Sequence, residues 1–287
     1  MTSTTEKLSL ETVVHEPKGT LKQRRRRLRW RSRLEIAVAI ATPVVLMALW
    51  EIMVAAGRID RSVFPPPSQI LTAAQELIAN GQLWTDTRAT LLRVLAGYGG
   101  GIIVGYTVGI LMGTIRFLRR ALEPMLSAIY TVPKIALLPI FLTILGFGDA
   151  PLVAIVSVTV FFYVWIDTME SVSSVPHGFR EAADSLNVSR FQMFWHVLFP
   201  ATLPQFFVVL RLTMGLSVLV IVAAEFVVGQ DGLGYLIFHS RELYLLDQTY
   251  VGIVTVALLG VILQGIVTLL AHWGTPWSEK HGRAQAL

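Results

Sequence analysis

The chain of 287 residues is 54% hydrophobic, carries a formal charge of +5 and contains no cysteine. Soluble domains usually have about 45–50% apolar residues, so this composition, with a mean hydropathy of +0.61, excludes an ordinary soluble domain and implies an integral membrane protein. The missing cysteines exclude disulfides and thiolate metal sites.

Residues 1–20 show no useful periodicity and are expected to be disordered. Lys22, Arg24, Arg25, Arg26, Arg27, Arg29, Arg31 and Arg33 then crowd against the first apolar run. Such a tract could bind nucleic acid, but beside a membrane span it more often fixes orientation by the positive-inside rule. We therefore expect residues 1–33 to form a basic, disordered cytoplasmic tail and no nucleic-acid partner. Because that tail precedes it and no small-residue cleavage site stands out, the first run reads as a span and not as a cleavable signal peptide.

Six apolar stretches approach the roughly 20 residues that cross a hydrocarbon core as a helix. The first covers about 34–56 and contains Pro43. Residues 57–87 form an external connection, with Pro65, Pro66 and Pro67 imposing extended backbone before a short amphipathic helix at 69–79. In the second span, about 88–115, Gly97, Gly101, Gly105, Gly109 and Gly113 recur every fourth residue. That stripe lets another backbone approach closely, either in the same subunit or in a partner. Arg116, Arg119 and Arg120 mark an inside-facing end. The third span, about 122–147, is interrupted by Pro124, Pro133 and Pro139 and contains Lys134. Irregular backbone at membrane depth is tolerated where protein or a water-filled cavity surrounds it. The fourth span, about 151–166, leads into an amphipathic loop at 173–204, expected to lie outside the bilayer as two short helices. The fifth covers about 205–228 and carries Glu225, an external connection follows, and the sixth covers about 250–272. Six spans with the amino terminus inside leave the tail at 278–287 cytoplasmic as well, as its Lys280 and Arg283 suggest.

The loop carries a resemblance. Glu181-Ala182-Ala183, a turn position at Asn187 and the run Val197-Leu198-Phe199-Pro200 are similar to the cytoplasmic EAA signature of ATP-binding-cassette (ABC) importer permeases, in which E-A-A, three residues, Gly, nine residues and I-x-L-P follow one another. The spacing is the same. Asn187 replaces Gly, Val197 replaces Ile and Phe199 replaces Leu, and Asn tolerates the left-handed backbone of a turn better than most residues. Pro133, Ala136, Pro139, Gly146 and Gly148 in the third span, and the Ala224–Ile237 run, resemble the permeases for nitrate, alkanesulfonate and taurine import. The resemblance extends over residues 34–277. It implies an all-α membrane domain of about six transmembrane helices with the type I importer fold, a cytoplasmic coupling helix, and a bacterial inner-membrane location. It also implies a pair of cytoplasmic ATPases carrying the ATP and Mg²⁺, a second permease copy, most simply a homodimer, and an external solute-binding protein. The solute implied is a small anion such as a sulfonate, taurine, nitrate or bicarbonate; the alternative is a thiamine-precursor-like organic solute.

No G-x-x-x-x-G-K-[ST] phosphate loop occurs, so ATP chemistry must belong to another chain, and this chain is not expected to be an enzyme or to hold a cofactor or metal. Glu181, Ala182, Ala183, Asn187, Phe191, Trp195 and Pro200 are candidate ATPase-coupling residues, although the aromatics would also suit a membrane-interface belt. Lys134, Pro133, Pro139 and Glu225 are candidates for the translocation pathway. Lys134 could attract an anion or merely snorkel or pair with a helix, and Arg93, Arg211 and Glu51 are expected to snorkel from span ends. An ion-coupled secondary transporter would show paired broken helices in inverted repeats, and a membrane enzyme would show a nucleophile or metal constellation; neither is evident.

Overall fold

The computed structural model describes residues 21–175, 178, 181, 185 and 188–277. Every regular element among them is helical. Two compact units are present, residues 1–59 and 60–287. The first contains α1 (Leu21–Ala55). Its apolar part, Ala37–Ala55, is long enough to cross a membrane. The basic tract from Leu21 onward is helical and continuous with it, so the disorder expected over 1–33 does not extend to 21–33. Gly57, at φ +68°, ends the helix: Arg58 N–H donates to Met53 O and Gly57 N–H to Val54 O, the pair of bonds that closes a helix through a left-handed glycine.

The second unit begins with an extended proline run that feeds α2 (Pro67–Ala79). A proline at the first helical position costs no hydrogen bond. A turn at Gly81 opens α3 (Gln82–Thr114), followed by α4 (Arg116–Tyr130), a 3₁₀ turn (Lys134–Leu137) and α5 (Leu138–Leu145). Next come α6 (Asp149–Ser173), the short α7 (Arg190–Met193), a π-helical turn (Phe194–Leu198) and α8 (Phe199–Val228). The unit closes with α9 (Leu233–Glu242) and α10 (Leu246–Gly274). Among the described residues five helices are long and apolar enough to span a membrane, and α4 with the 134–145 segment makes a sixth if that pair, bent by 93°, is one span.

The helix directions alternate, as contacts at their ends show. Arg93 near the start of α3 meets Asp149 at the start of α6. At the opposite end, Arg119 near the start of α4 donates to Ser173 at the close of α6 at 2.9 Å. We call these the Arg93 end and the Arg119 end. The bundle is zipped together by the glycine stripe. A Cβ at Gly97 would lie 2.6 Å from Val156 Cβ, at Gly101 2.6 Å from Val160 Cβ, at Gly105 3.0 Å from Val164 Cβ, at Gly109 2.7 Å from Thr168 Cβ and at Gly113 2.7 Å from Val172 Cβ. A ridge of β-branched side chains, one every fourth residue on α6, therefore lies in a groove of glycines on α3, the fit expected when i±4 rows interlock. The neighbour left open by the sequence is thus in the same subunit.

Two predicted boundaries move. The fourth span continues past residue 166 to Ser173, carrying Asp167 with it, whose carboxylate accepts from Gln205 Nε2 at 2.9 Å. The fifth does not begin after Pro204: residues 191–228 run as one helical stretch of 38 residues. Pro200 is accommodated because the preceding turn is wound wider, Phe199 N–H reaching Phe194 O; such π turns absorb a missing amide without ending the helix.

Replacing Gly101 with Ala places its Cβ 2.5 Å from Ser157 O, whereas Gly99 has nothing within 4 Å. We expect Gly101→Ala to cost about 1–3 kcal/mol, read as a lowered Tm of the detergent-solubilised protein, and Gly99→Ala to leave Tm near the native value. Equal effects at the two positions would contradict the seam.

Candidate functional site

At the Arg93 end a guanidinium is sunk among helices, only 6% exposed. Its Nε donates to Asp149 Oδ1 at 2.6 Å, Nη1 donates to Glu225 Oε1 and to Asp231 O, both at 2.9 Å, and Nη2 pairs with Asp231 Oδ1. Glu225, 1% exposed, also accepts from the Thr90 hydroxyl at 3.0 Å and from Gly234 N–H at 2.8 Å. Thr90 in turn accepts from Leu233 N–H at 2.8 Å, and Asp86 Oδ1 accepts from Gly232 N–H at 2.9 Å. The free amides at the start of α9 are thus met by Thr90 and Glu225, the polarity that a helix amino terminus favours. The Gly-Leu-Gly run explains itself here. Gly232 has φ +106°, and a Cβ on it would lie 2.5 Å from Glu225 Oε1, while one on Gly234 would lie 2.6 Å from Val222 O.

The Glu225 carboxylate is thus engaged by Arg93, Thr90 and Gly234 within the protein. Arg93 does not snorkel, because three carboxylates from α6, α8 and the following turn converge on it. Both residues lie near the same end of antiparallel spans, and that shared depth was the available sequence signal.

The second feature is the elbow between α4 and α5. Pro133 stands at the break, whereas Pro124 lies inside α4 and Pro139 in the first turn of α5, where a missing amide is harmless. Lys134 clips the break shut. Its Nζ donates to Tyr130 O at 2.6 Å and to Val132 O at 2.7 Å, and lies 4.7 Å from the Phe162 ring centre and 5.2 Å from that of Tyr130, within cation–π range. An ammonium at a helix carboxyl end also meets the favourable pole of its dipole. Since Phe162 and Tyr163 lie near the middle of α6, the elbow sits at mid-depth of the bundle. Beside it is a cavity of about 510 Å³, lined by Tyr130, Lys134, Thr159 and Tyr163 and walled by Leu219 and Ala223 of α8.

At the Arg119 end, Phe191, Phe194, Trp195 and Phe199 form a stack with ring centres 5.2–6.2 Å apart. Phe191 is 72% and Trp195 47% exposed, so the aromatic face is uncovered. Glu181 is exposed, and Pro200 lies in the first turn of α8. Ala182, Ala183 and Asn187 lie outside the described residues. At the Arg93 end a hollow of about 650 Å³ is lined by Arg61, Gln69, Arg241, Tyr244 and Asp247. Tyr244 has φ +61° and is 89% exposed, a strained backbone presenting an uncovered ring. Among the described residues no group of three or more His, Asp or Glu is arranged to hold a metal.

Comparison with known proteins places this geometry in context. The family described as "Binding-protein-dependent transport system inner membrane component" matches residues 101–273. The nitrate import permease protein of Synechocystis sp. is 31% identical over 253 residues, covering 85% of this chain and 90% of that protein. The taurine transport system permease protein of Escherichia coli is 30% identical over 267 residues, covering 91% and 96%. The putative aliphatic sulfonates transport permease protein of Bacillus subtilis is 28% identical over 239 residues, covering 83% and 87%. In three dimensions the chain is similar to a chain of the MetNI methionine ABC transporter in an inward-facing conformation, with a TM-score of 0.59 at 19% identity, covering 67% of this chain and 97% of that one.

Removing one member of a buried ion pair strands the other. Arg93→Met is expected to cost about 3–5 kcal/mol, measured as loss of Tm and of membrane abundance. Arg93→Met combined with Glu225→Met is expected to be less damaging than the sum of the single changes. Strict additivity would mean that the two side chains do not act as a pair.

Proposed function

The chain belongs to the family of binding-protein-dependent transport-system inner-membrane components, a multi-pass transport permease subunit with the type I ABC importer fold, and from that premise we propose how it is energised and what it carries. The observation that carries the proposal is the uncovered Phe191–Trp195 face at the Arg119 end. In a chain without a phosphate loop, that face is where a separate ATPase docks. Buried aromatic anchors are the usual energetic centre of such an interface, and Glu181, Ala182, Ala183 and Asn187 form the remainder of the coupling stretch, with Pro200 at the start of α8. Two ATPases supply the ATP and Mg²⁺ sites, and two permease copies, most simply identical, form the membrane core.

The Arg119 end, with Arg116 and Arg120 beside it, is the cytoplasmic one by the positive-inside rule, and both termini lie on that side. The permease domain covers 34–277, and 1–33 and 278–287 are cytoplasmic tails. The Arg93 end then faces outward, and the hollow around Arg61, Arg241 and Tyr244 is available to a solute-binding protein. Closure of the ATPases on ATP pulls the coupling stretches together. Because residues 191–228 are one helical run, that pull passes directly into α8 and tilts it against the elbow, so the pathway opens outward; release on hydrolysis returns it inward. The solute is a small molecule bearing an oxyanion group of the kind named for the relatives, such as nitrate, taurine or an aliphatic sulfonate.

Co-purification with the cognate ATPase tests the docking. Wild-type permease is expected to retain the ATPase, while Trp195→Ala and Glu181→Lys, at equal membrane abundance, lower its retention at least about tenfold, the size expected of an interface anchor. Full retention by both variants would overturn the assigned coupling face.

A further inference from the structure

The elbow cavity has a chemistry that clipping α4 to α5 does not use up. Lys134 carries a full positive charge at mid-depth of a membrane bundle, and among the described residues no carboxylate pairs with it. Backbone carbonyls satisfy its hydrogen bonds, but dipoles do not cancel a net charge, and an uncompensated charge at this depth is costly unless it serves a pathway. Of the hydroxyls lining the cavity, Thr131 donates to Ala128 O at 2.8 Å and Thr159 to Ile155 O at 2.7 Å. Those of Tyr130 and Tyr163 neighbour each other, with their rings edge to face at 5.7 Å. Each phenol carries one rotatable O–H, so with an anion in the cavity both can turn their protons from each other toward it. The opposite wall, Leu216, Leu219, Val220 and Ala223 of α8, is apolar and belongs to the helix that carries the coupling stretch.

We propose that the elbow cavity is a solute-contact site of the permease, in which Tyr130 and Tyr163 donate hydrogen bonds to a small oxyanion held in the field of Lys134. This rests on the permease reading above and adds the residues that touch the solute. Hydrogen bonds to an ionised acceptor are the strong kind, and the two phenols offer them without a second fixed charge that would trap the ion. A cationic solute is disfavoured, because the ring faces of Tyr130 and Phe162 that would receive it already hold the Lys134 ammonium. Lys134 has a double role: it positions the elbow and it sets the potential. Only the phenol hydroxyls are therefore clean probes of contact.

The test uses the complete transporter, permease with its ATPase and binding protein, in proteoliposomes. ATP-dependent uptake of nitrate, taurine and butanesulfonate is measured over a concentration series, with membrane abundance and ATPase retention as fold controls. Tyr163→Phe and Tyr130→Phe keep the rings and are expected to raise KM for the transported anion about tenfold, the loss of one hydrogen bond to a charged group, with a smaller change in kcat. Lys134→Arg keeps the charge and retains substantial uptake, whereas Lys134→Met loses it even where the protein is correctly assembled. An unchanged KM in the double phenylalanine variant would overturn the site, as would Lys134→Met transporting anions like the wild type. Wild-type transport of a neutral aminopyrimidine in place of all three oxyanion-bearing solutes would overturn the oxyanion assignment while leaving the permease reading intact. That reading fails separately, if no ATPase is retained.

Discussion

A guanidinium inside an apolar bundle survives only when carboxylates surround it, and the architecture of one end of this molecule follows from meeting that requirement for Arg93. To bring Glu225, Asp149 and Asp231 within reach of one side chain, the ends of α3, α6 and α8 must gather at a common level. The turn after α8 must also wrap back tightly enough that only glycine fits at 232 and 234. Burying one such pair is not by itself stabilising, since desolvation offsets the Coulomb gain; what it fixes is register. Slip α3 against α8 by one turn and the buried Arg93 and Glu225 charges are left unpaired in a medium that cannot solvate them.

From that fixed end the glycine seam carries the alignment along the length of α3 and α6. The valines and Thr168 of α6 occupy a groove emptied of side chains, so the two helices move as one body. The α4–α5 elbow is built differently. Its break is closed by one lysine reaching backbone carbonyls, and the cavity beside it separates it in part from α8. A rigid pair of helices, a hinge of irregular backbone and a long helix reaching from the aromatic face to the far end are the parts that an alternating-access device requires.

Much of this was legible in the sequence, and what was missed has a physical cause. The glycine period revealed the seam because packing in lipid selects for close backbone approach, which leaves a one-dimensional pattern. The apolar stretches were equally plain, the proline-broken third included. The Arg93–Glu225 pair was not, because the partners lie more than a hundred residues apart and each alone looks like a charge near a span end. The fifth span was expected from about residue 205, whereas a π turn before Pro200 lets the helix pass through that residue; this compensation depends on backbone winding and leaves no sequence mark. Lys134 was noticed as a charge in the membrane, but its carbonyl clip depends on the 93° bend, a tertiary fact.

Docking of a separate ATPase on the aromatic face, with the continuous helix behind it, is the central claim of the proposed reading, and it makes ATP hydrolysis on that other chain the source of transport energy. The most direct measurement is therefore the ATPase rate of the reconstituted complex with and without solute-loaded binding protein, recorded together with uptake. Severalfold stimulation, with uptake halted when ATP is replaced by a non-hydrolysable analogue, is the expected result. Uptake driven by an ion gradient in the absence of ATP, with hydrolysis indifferent to the loaded binding protein, would contradict it.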